Sequence, residues 1–523
     1  MRSLYATRFF IDDASFTDVH DSIARWAKKS VRQRGAALDY DPGGEEQQTP
    51  DGHRLRAHEQ EIGGGRVVEV EWEHPDKDDA DLLWNTRLTL AAAGEKVEFG
   101  CLLRIGSRSF RVSPLGAISA GAPGIVGELL RQHECRVSPV QIAAKHTRIS
   151  PGEADLLVPF LLSGDRALPI VLVSQDNETG EPLADPKRVQ KRLSGLAHVY
   201  EITGEAGFEL TDALGKTSSC FNGAVRVYWP GFTPSAWRQH PLYLPDRVQA
   251  IRTRGRRVED ELFRLLSDIA ASRFDDGELW RSLRAQANRK RQEDIRRRLD
   301  EESSEREPSE DLTEFYKDYE ATLKKVDHLD AHNAELAQEN ARLLAENAGL
   351  RTNLSTLTQF AGAAEADVES AGEEAEPETV SEALEQAAAH HACLDVWESA
   401  TASAAESVSN RAGRVRDALD SIAKLSRLYF ATPDRSIGES FKSFFDKQGV
   451  KYAPQESEMT MQQYGSDRIF RDGSSSREIQ QHLTLGQGSR ANCVQIYFDA
   501  DTDSETFIIG YCGIHLATAG GSF

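Results

Sequence analysis

Along the first 150 residues the apolar positions alternate. In RVVEVEWEH, Val68, Val70 and Trp72 fall on one side of an extended chain and Glu69, Glu71 and Glu73 on the other. In KVEFGCLLRIG, Val97, Phe99, Cys101, Leu103 and Ile105 repeat the pattern. A period of two marks a strand with one buried face. LWNTRLTL precedes the second run, with Gly94 placed for a hairpin turn. The stretch predicts a β-rich domain over 1–150, with Cys101 a small core residue rather than a reactive thiol.

From about 151 to 255 the pattern changes. LPIVLVS (168–174) is a continuous apolar run, as expected of a strand buried on both faces. Asp185 and Pro186 read as N-cap and first residue of a helix that carries Val189, Leu193 and Leu196 on one face. HVYEI reads as a second strand, FELTDALG as a helix ended by Gly215, and AVRVYW (224–229) as a third strand. Strand and helix in alternation predict right-handed crossovers and a small parallel α/β domain. Ligands in such sheets sit beyond the carboxyl ends of the strands, which makes Ser174 and Asp176, flanking Gln175, the candidate ligand-binding residues of a recognition platform. An ordinary loop after a strand is the reading the residues favour there. Neither GxGxxG nor GxxxxGK[ST] occurs, so a nucleotide site has no motif behind it.

Residues 256–311 predict a charged helical segment. RSLRAQANRKRQEDIRRRLD (281–300) offers a nucleic-acid contact surface or, paired with the acidic run that follows it, a solvated helix face. Beyond it, Leu329, Leu336, Leu343, Leu350 and Leu357 recur every seven residues. Val326, Asn333, Asn340, Asn347 and Leu354 fall three residues before each of them. Leucine at d with asparagine at a predicts a two-stranded parallel coil in a fixed register. The segment 312–360 thus resembles a leucine zipper. Unlike a basic-zipper protein, its upstream basic stretch is interrupted by SSEREPSEDL, which includes Pro308. The competing arrangement is an antiparallel hairpin within the chain, against a helix at 380–430. An acidic linker, 361–379, follows.

The module over 380–523 predicts three helices and a β-hairpin. VSEALEQAAAHHACLDVWESA reads as the first helix; its adjacent His390 and His391 point to different faces. RVRDALDSIAKLSRLYF presents Val415, Leu419, Ile422 and Leu425 on one face. A third helix opens on a capping box at Ser436 and Glu439 and closes at Gly449. VQIYFD and TFIIGYC then form a hairpin around an acidic loop. Leu485, Gly486, Ile496, Tyr497, Ile508, Gly510 and Leu516 stand where toxins of the RelE/ParE type carry comparable residues, and these 40 or so residues resemble the end of that fold. The resemblance implies RNA binding or metal-independent RNA cleavage by scattered basic and aromatic groups, although ParE-like members are not ribonucleases. Arg477, His482, Arg490, Tyr497, Tyr511 and His515 are the candidates for acid–base and phosphate-contacting work. Gln495 departs from the family, which often has arginine there. Alternatively, His482, Cys493, Cys512 and His515 form a permissible zinc set, of which only Cys512 and His515 are closely spaced.

Composition narrows the classes. The 523 residues fit about three to four folded units. A net charge of −22 disfavours binding of nucleic acid or anionic membrane by the whole surface. Six scattered cysteines read as reduced thiols, and no apolar run of membrane-spanning length or signal-peptide core is present. The expectation is a cytoplasmic, multidomain α+β protein without cofactor or membrane partner, forming a parallel homodimer. It would serve as an interaction scaffold for other proteins, of the sort used in bacterial stress or anti-phage responses. The alternative is an effector whose C-terminal module binds or cleaves RNA.

Overall fold

The computed structural model describes residues 1–62, 64–109, 120–274, 277–305, scattered positions between 314 and 347, 376–486 and 493–519. The first sheet is built from β1 (Arg2–Ile11), β2 (Gln47–Gln48), β3 (Arg54–Ile62), β4 (Gly65–Pro75), β5 (Leu82–Ala93), β6 (Lys96–Ser107), β7 (Cys135–Val137) and β8 (Val140–Gln141), in the order β2-β3-β4-β5-β6-β1-β7-β8. All its pairings are antiparallel. Gly94, at φ 58°, makes the turn between β5 and β6. The alternation seen in β4 divides its faces: Val68, Val70 and Trp72 are buried. Glu69, Glu71 and Glu73 reach across to Arg87, Arg104 and Arg54 at 2.7, 3.1 and 3.3 Å. Helix α1 (Phe16–Gln33), capped by Ser15 and Asp18, lays Val19, Ile23, Ala27 and Val31 on the apolar side. Helix α2 (Gly124–Gln132) adds Ile125, Val126 and Leu129 to the same core.

The second sheet has the order β13-β12-β10-β11-β9, with β9 (Thr147–Ile149), β10 (Ile170–Ser174), β11 (His198–Ile202), β12 (Val225–Tyr228) and β13 (Leu242–Tyr243). Strands β9, β10 and β11 are parallel. Helices α3 (Ala154–Leu162) and α5 (Gly204–Leu214) cover one face. Helices α4 (Pro186–Arg192), α6 (Pro245–Thr253) and α7 (Val258–Ser272) lie on the other and merge with the core of the first sheet. Asp185 caps α4 through the amides of Lys187 and Arg188, as its sequence predicts. The two sheets are also joined by Tyr5 and Thr7, whose hydroxyls donate to the carbonyls of Ser194 and Gly195 at 2.7 Å.

Strand β12 corrects the expectation of a wholly parallel sheet: it pairs antiparallel with β10. The cause lies in the segment after Gly215, which returns toward the carboxyl end of β10 before the strand begins. The buried guanidinium of Arg226 donates to the carbonyls of Thr217, Ser219 and Trp237, and Tyr228 donates to Ser218. A second buried guanidinium, Arg166, binds the carbonyls of Leu161, Leu168, Tyr228 and Trp229. Helix α8 (Glu278–Glu305) starts against the first sheet, where the Glu98 carboxylate accepts from the amides of Glu278 and Leu279.

The C-terminal module contains α9 (Val380–His390), β14 (Leu394–Val396), α10 (Glu398–Ala405), α11 (Ala412–Phe430), α12 (Phe441–Gln448), β15 (Lys451–Ala453), α13 (Glu458–Tyr464), β16 (Ile469–Asp472), β17 (Ser475–Glu478), β18 (His482–Leu485), β19 (Val494–Asp501) and β20 (Thr506–Ile514). Its five-stranded sheet runs β14-β20-β19-β18-β15, and β16 with β17 forms a separate ribbon. The hairpin β19–β20 is as expected. The predicted helix through residues 380–400 is instead broken: Leu394–Val396 pairs as a parallel strand with β20. The third helix starts later than Ser436, because Ser440 supplies the cap by accepting from the Ser443 amide. It ends at Gly449, in the left-handed region.

Two platform histidines carry a pH signature. Burial, with Arg166 nearby, pushes His198 down to about 4; burial, with Arg226 and Arg166 nearby, does the same to His240. Both are neutral when folded but titrate near 6.5 when unfolded. Stability is therefore full above that value and falls as pH drops toward 4. Thermal melts should show a lower midpoint at pH 5 than at pH 7, and His198→Gln should make that decline shallower.

Candidate functional site

The hairpin strands bring several of the predicted residues together. His482 on β18 stands opposite Tyr497 on β19, and the two rings stack with centroids 4.7 Å apart. The His482 Nδ1 lies 2.9 Å from the Gln480 carbonyl. The Tyr497 hydroxyl donates to Glu456 Oε1 at 2.5 Å, and Arg468 Nε and Nη2 donate to the same oxygen at 3.0 and 2.8 Å. Arg468 is fully buried and Gln495 nearly so. The Gln495 side-chain oxygen accepts from the Leu516 amide, which ties the chain after β20 to the sheet. Trp397, Phe470, Ile479 and Ile508 complete an apolar jacket.

The electrostatics are those of a closed cluster. Burial penalises the Glu456 carboxylate, but Tyr497 and Arg468 outweigh it and hold the group below the usual carboxylate range. Burial, and then Glu456, raises the Tyr497 phenol. Burial lowers His482, which is 7 % exposed, so its imidazole is neutral at pH 7. His515 is half-buried beside it, with Nδ1 2.7 Å from the Leu516 carbonyl. Tyr511 packs edge-on to Tyr497 and donates to the Ile514 carbonyl. Arg477 is directed elsewhere, to Asp499 at 2.6 Å and the Ala500 carbonyl. Arg490 lies outside the described residues. The proposed zinc set does not converge. Cys512 is in the helix-side core, whereas Cys493, pushed up to about 11 by burial and by Asp212, faces the platform. Among the described residues no group of three or more His, Cys, Asp and Glu side chains could hold a metal ion.

On the platform, Ser174 and Asp176 have structural work. Ser174 is buried and donates to the Ala224 carbonyl. Asp176 Oδ1 accepts from the amides of Glu178 and Thr179 and from the Thr179 hydroxyl, closing the turn. The open space lies beside them. A cavity of about 650 Å³ is bounded by His146 and Arg148 of the β9 edge, the 181–188 connection, Glu201 of β11, Val248 and Arg252 of α6 and the start of α7. Gln175, between the two predicted residues, donates to Glu201 at 2.7 Å. His146 and Arg148 stand 3.5 and 3.9 Å from the same carboxylate. Residue-by-residue reading missed this site because its walls come from five separated segments. One signal was present: Glu201 is a carboxylate within HVYEI, a short strand in which it is itself buried.

The C-terminal module closes over another part of the platform. Asp212 of α5 accepts from the Gly486 amide at 2.6 Å and faces Arg414 and Arg411 at 3.5 and 4.0 Å. Lys216 donates to Gln448 at 2.7 Å. Gly449 lies so near Phe221 that a Cβ there would sit 2.9 Å from the ring.

Of the heptad residues, Leu329, Leu336 and Leu343 are 49, 48 and 42 % exposed on helix, and Asn333, Asn340 and Asn347 are exposed with them. Leu350 and Leu357 lie outside the described residues, as does most of the acidic linker. The apolar face of α11 is buried within its own module, with Val415, Leu419, Ile422 and Leu425 at 0 % exposure, so it is not available to an intrachain hairpin. Comparison with known protein families, with curated proteins and with solved structures gives no match.

The closed cluster makes a stability prediction. Glu456→Gln strips the buried Arg468 of its counter-charge and should lower stability by about 3–5 kcal/mol. Tyr497→Phe should lower it by about 1 kcal/mol. Urea unfolding of the full chain, with hydrogen exchange read on β18 and β19, measures both. Equal, sub-kilocalorie losses would show that the charge pair is solvated.

Proposed function

We propose that the protein is a self-associating interaction scaffold, paired in parallel through the 312–360 segment and presenting its platform to other molecules. The observation that carries this reading is the exposed leucine series Leu329, Leu336 and Leu343, alternating with exposed asparagines. Leucines at d bury their side chains only against a second helix, and α11, the candidate within the chain, is already covered. The asparagines then favour a parallel partner in register. Sedimentation velocity of the full chain at tens of micromolar should give a dimer. Leu336→Asp with Leu343→Asp should give a monomer with unchanged circular dichroism from the sheets. A monomeric wild-type chain would remove the basis of the reading.

The RNA-cleaving alternative has weaker support. A general acid or base needs to reach its substrate, whereas His482 is enclosed and the Tyr497 hydroxyl is committed to Glu456. Arg477 is paired with Asp499. The full chain should leave RNA intact, with the same background as a His482→Ala, His515→Ala double variant. Cleavage that disappears in the double variant would reinstate the effector reading.

A further inference from the structure

The platform cavity has the composition of a site for a charged small molecule. Its volume, about 650 Å³, lies within the range of ligand pockets, but its walls are mainly charged rather than apolar. Three consecutive acids open α7. Asp260 pairs with Arg192 at 2.7 Å and Glu261 with Arg247 at 3.9 Å. Glu259, the one that lines the cavity, is 8 % exposed, and no hydrogen bond or ion pair engages its carboxylate. Its carboxylate opens to the cavity and keeps free acceptor capacity there. Across from it, Arg188 is taken by Asp185 and Arg252 by the Leu183 carbonyl. Lys187 and Arg257 line the same cavity, exposed and uncommitted. The site therefore offers two uncommitted cations, Lys187 and Arg257, and two uncommitted carboxylates, the exposed Glu181 at its rim and Glu259 in its wall.

We propose that this cavity binds a phosphorylated ribose, either a free sugar phosphate or the corresponding part of a nucleotide. Lys187 and Arg257 would take the phosphate, a role both side chains suit. Glu259 would accept from the vicinal hydroxyls, which satisfy one carboxylate with two donors and bring no charge of their own. Glu201, already held by Gln175, closes the floor. The location, on the α4 face beside the connection that leaves the carboxyl end of β10, adjoins the region where open α/β sheets place their ligands. The inference does not depend on whether the chain dimerises.

Isothermal titration of the full chain with ribose 5-phosphate, 2-deoxyribose 5-phosphate, inorganic phosphate and the four ribonucleoside monophosphates tests it. Ribose 5-phosphate should bind at one site per chain, about tenfold or more tighter than inorganic phosphate. Lys187→Ala with Arg257→Ala should weaken it by about tenfold or more. Glu259→Gln, nearly isosteric, should abolish the preference for ribose over 2-deoxyribose at an unchanged unfolding midpoint. A nucleotide that binds tighter than ribose 5-phosphate identifies the nucleotide as the source; equal affinities identify the sugar phosphate. Absence of saturable binding by every probe at millimolar concentration, or affinities untouched by both sets of substitutions, overturns the proposal.

Discussion

The placement of the C-terminal module rests on one buried carboxylate. Asp212 projects from α5, on the face of the second sheet away from the first, and meets the Gly486 amide, Arg414 and Arg411. Arg414 in turn donates to the Gly449 carbonyl at 3.0 Å. Burial raises the Asp212 carboxyl despite both arginines and the amide, so desolvation exceeds what these partners return. The cluster therefore contributes more to direction than to stability. It fixes which part of the module faces the platform, and the rest of the contact follows: Lys216 on Gln448, and the ring of Phe221 against the Cα of Gly449. The left-handed backbone at Gly449 serves both the end of α12 and this close approach.

That placement separates the two edges of the platform. The turn after β10, where an open sheet would present a ligand loop, is held by its own hydrogen bonds and faces the docked module through Asn177, whose side chain meets Asp446. The connection between β10 and α4 leaves on the other face, and there the charged cavity lies. The N-terminal sheet supports that face: its core is continuous with α4 and α7, and Arg192, after stacking over Phe263, holds Asp260 of the acidic helix start. The first sheet thus positions the cavity's walls without lining it.

Much of the architecture was legible because burial imposes a period. In β4 the alternation of Val68, Val70 and Trp72 with three glutamates marked the faces, and the glutamates proved to pair across strands. The caps at Asp185 and Gly449 were equally plain, since few residue types satisfy those positions. Strand direction was not legible: a fully buried strand such as Val225–Tyr228 reads the same either way. Its polarity depends on how Arg226 gathers the carbonyls of the returning loop, a tertiary fact. Leu394–Val396 shows the same limit, being too short for a period and made a strand by β20.

The candidate residues divide along the same line. His482 and Tyr497 stood in one candidate set, but only the structure makes them cross-strand neighbours, because the expected hairpin joined Tyr497 to the strand after it and left His482 outside. What the pattern could not supply was Glu456 and Arg468, which come from segments before the hairpin and turn an exposed-looking pair into an enclosed network. On the platform the error ran the other way. Ser174 and Asp176 lay at the right edge of the sheet, but it is the residue between them that reaches the cavity, through Glu201. Gln175 also accepts from the Gly223 amide, in the loop that leads to Phe221 and the docked module. One side chain and its own carbonyl therefore connect the cavity floor to the edge that holds the C-terminal module. The two regions, read separately from the sequence, share a strand end in the fold.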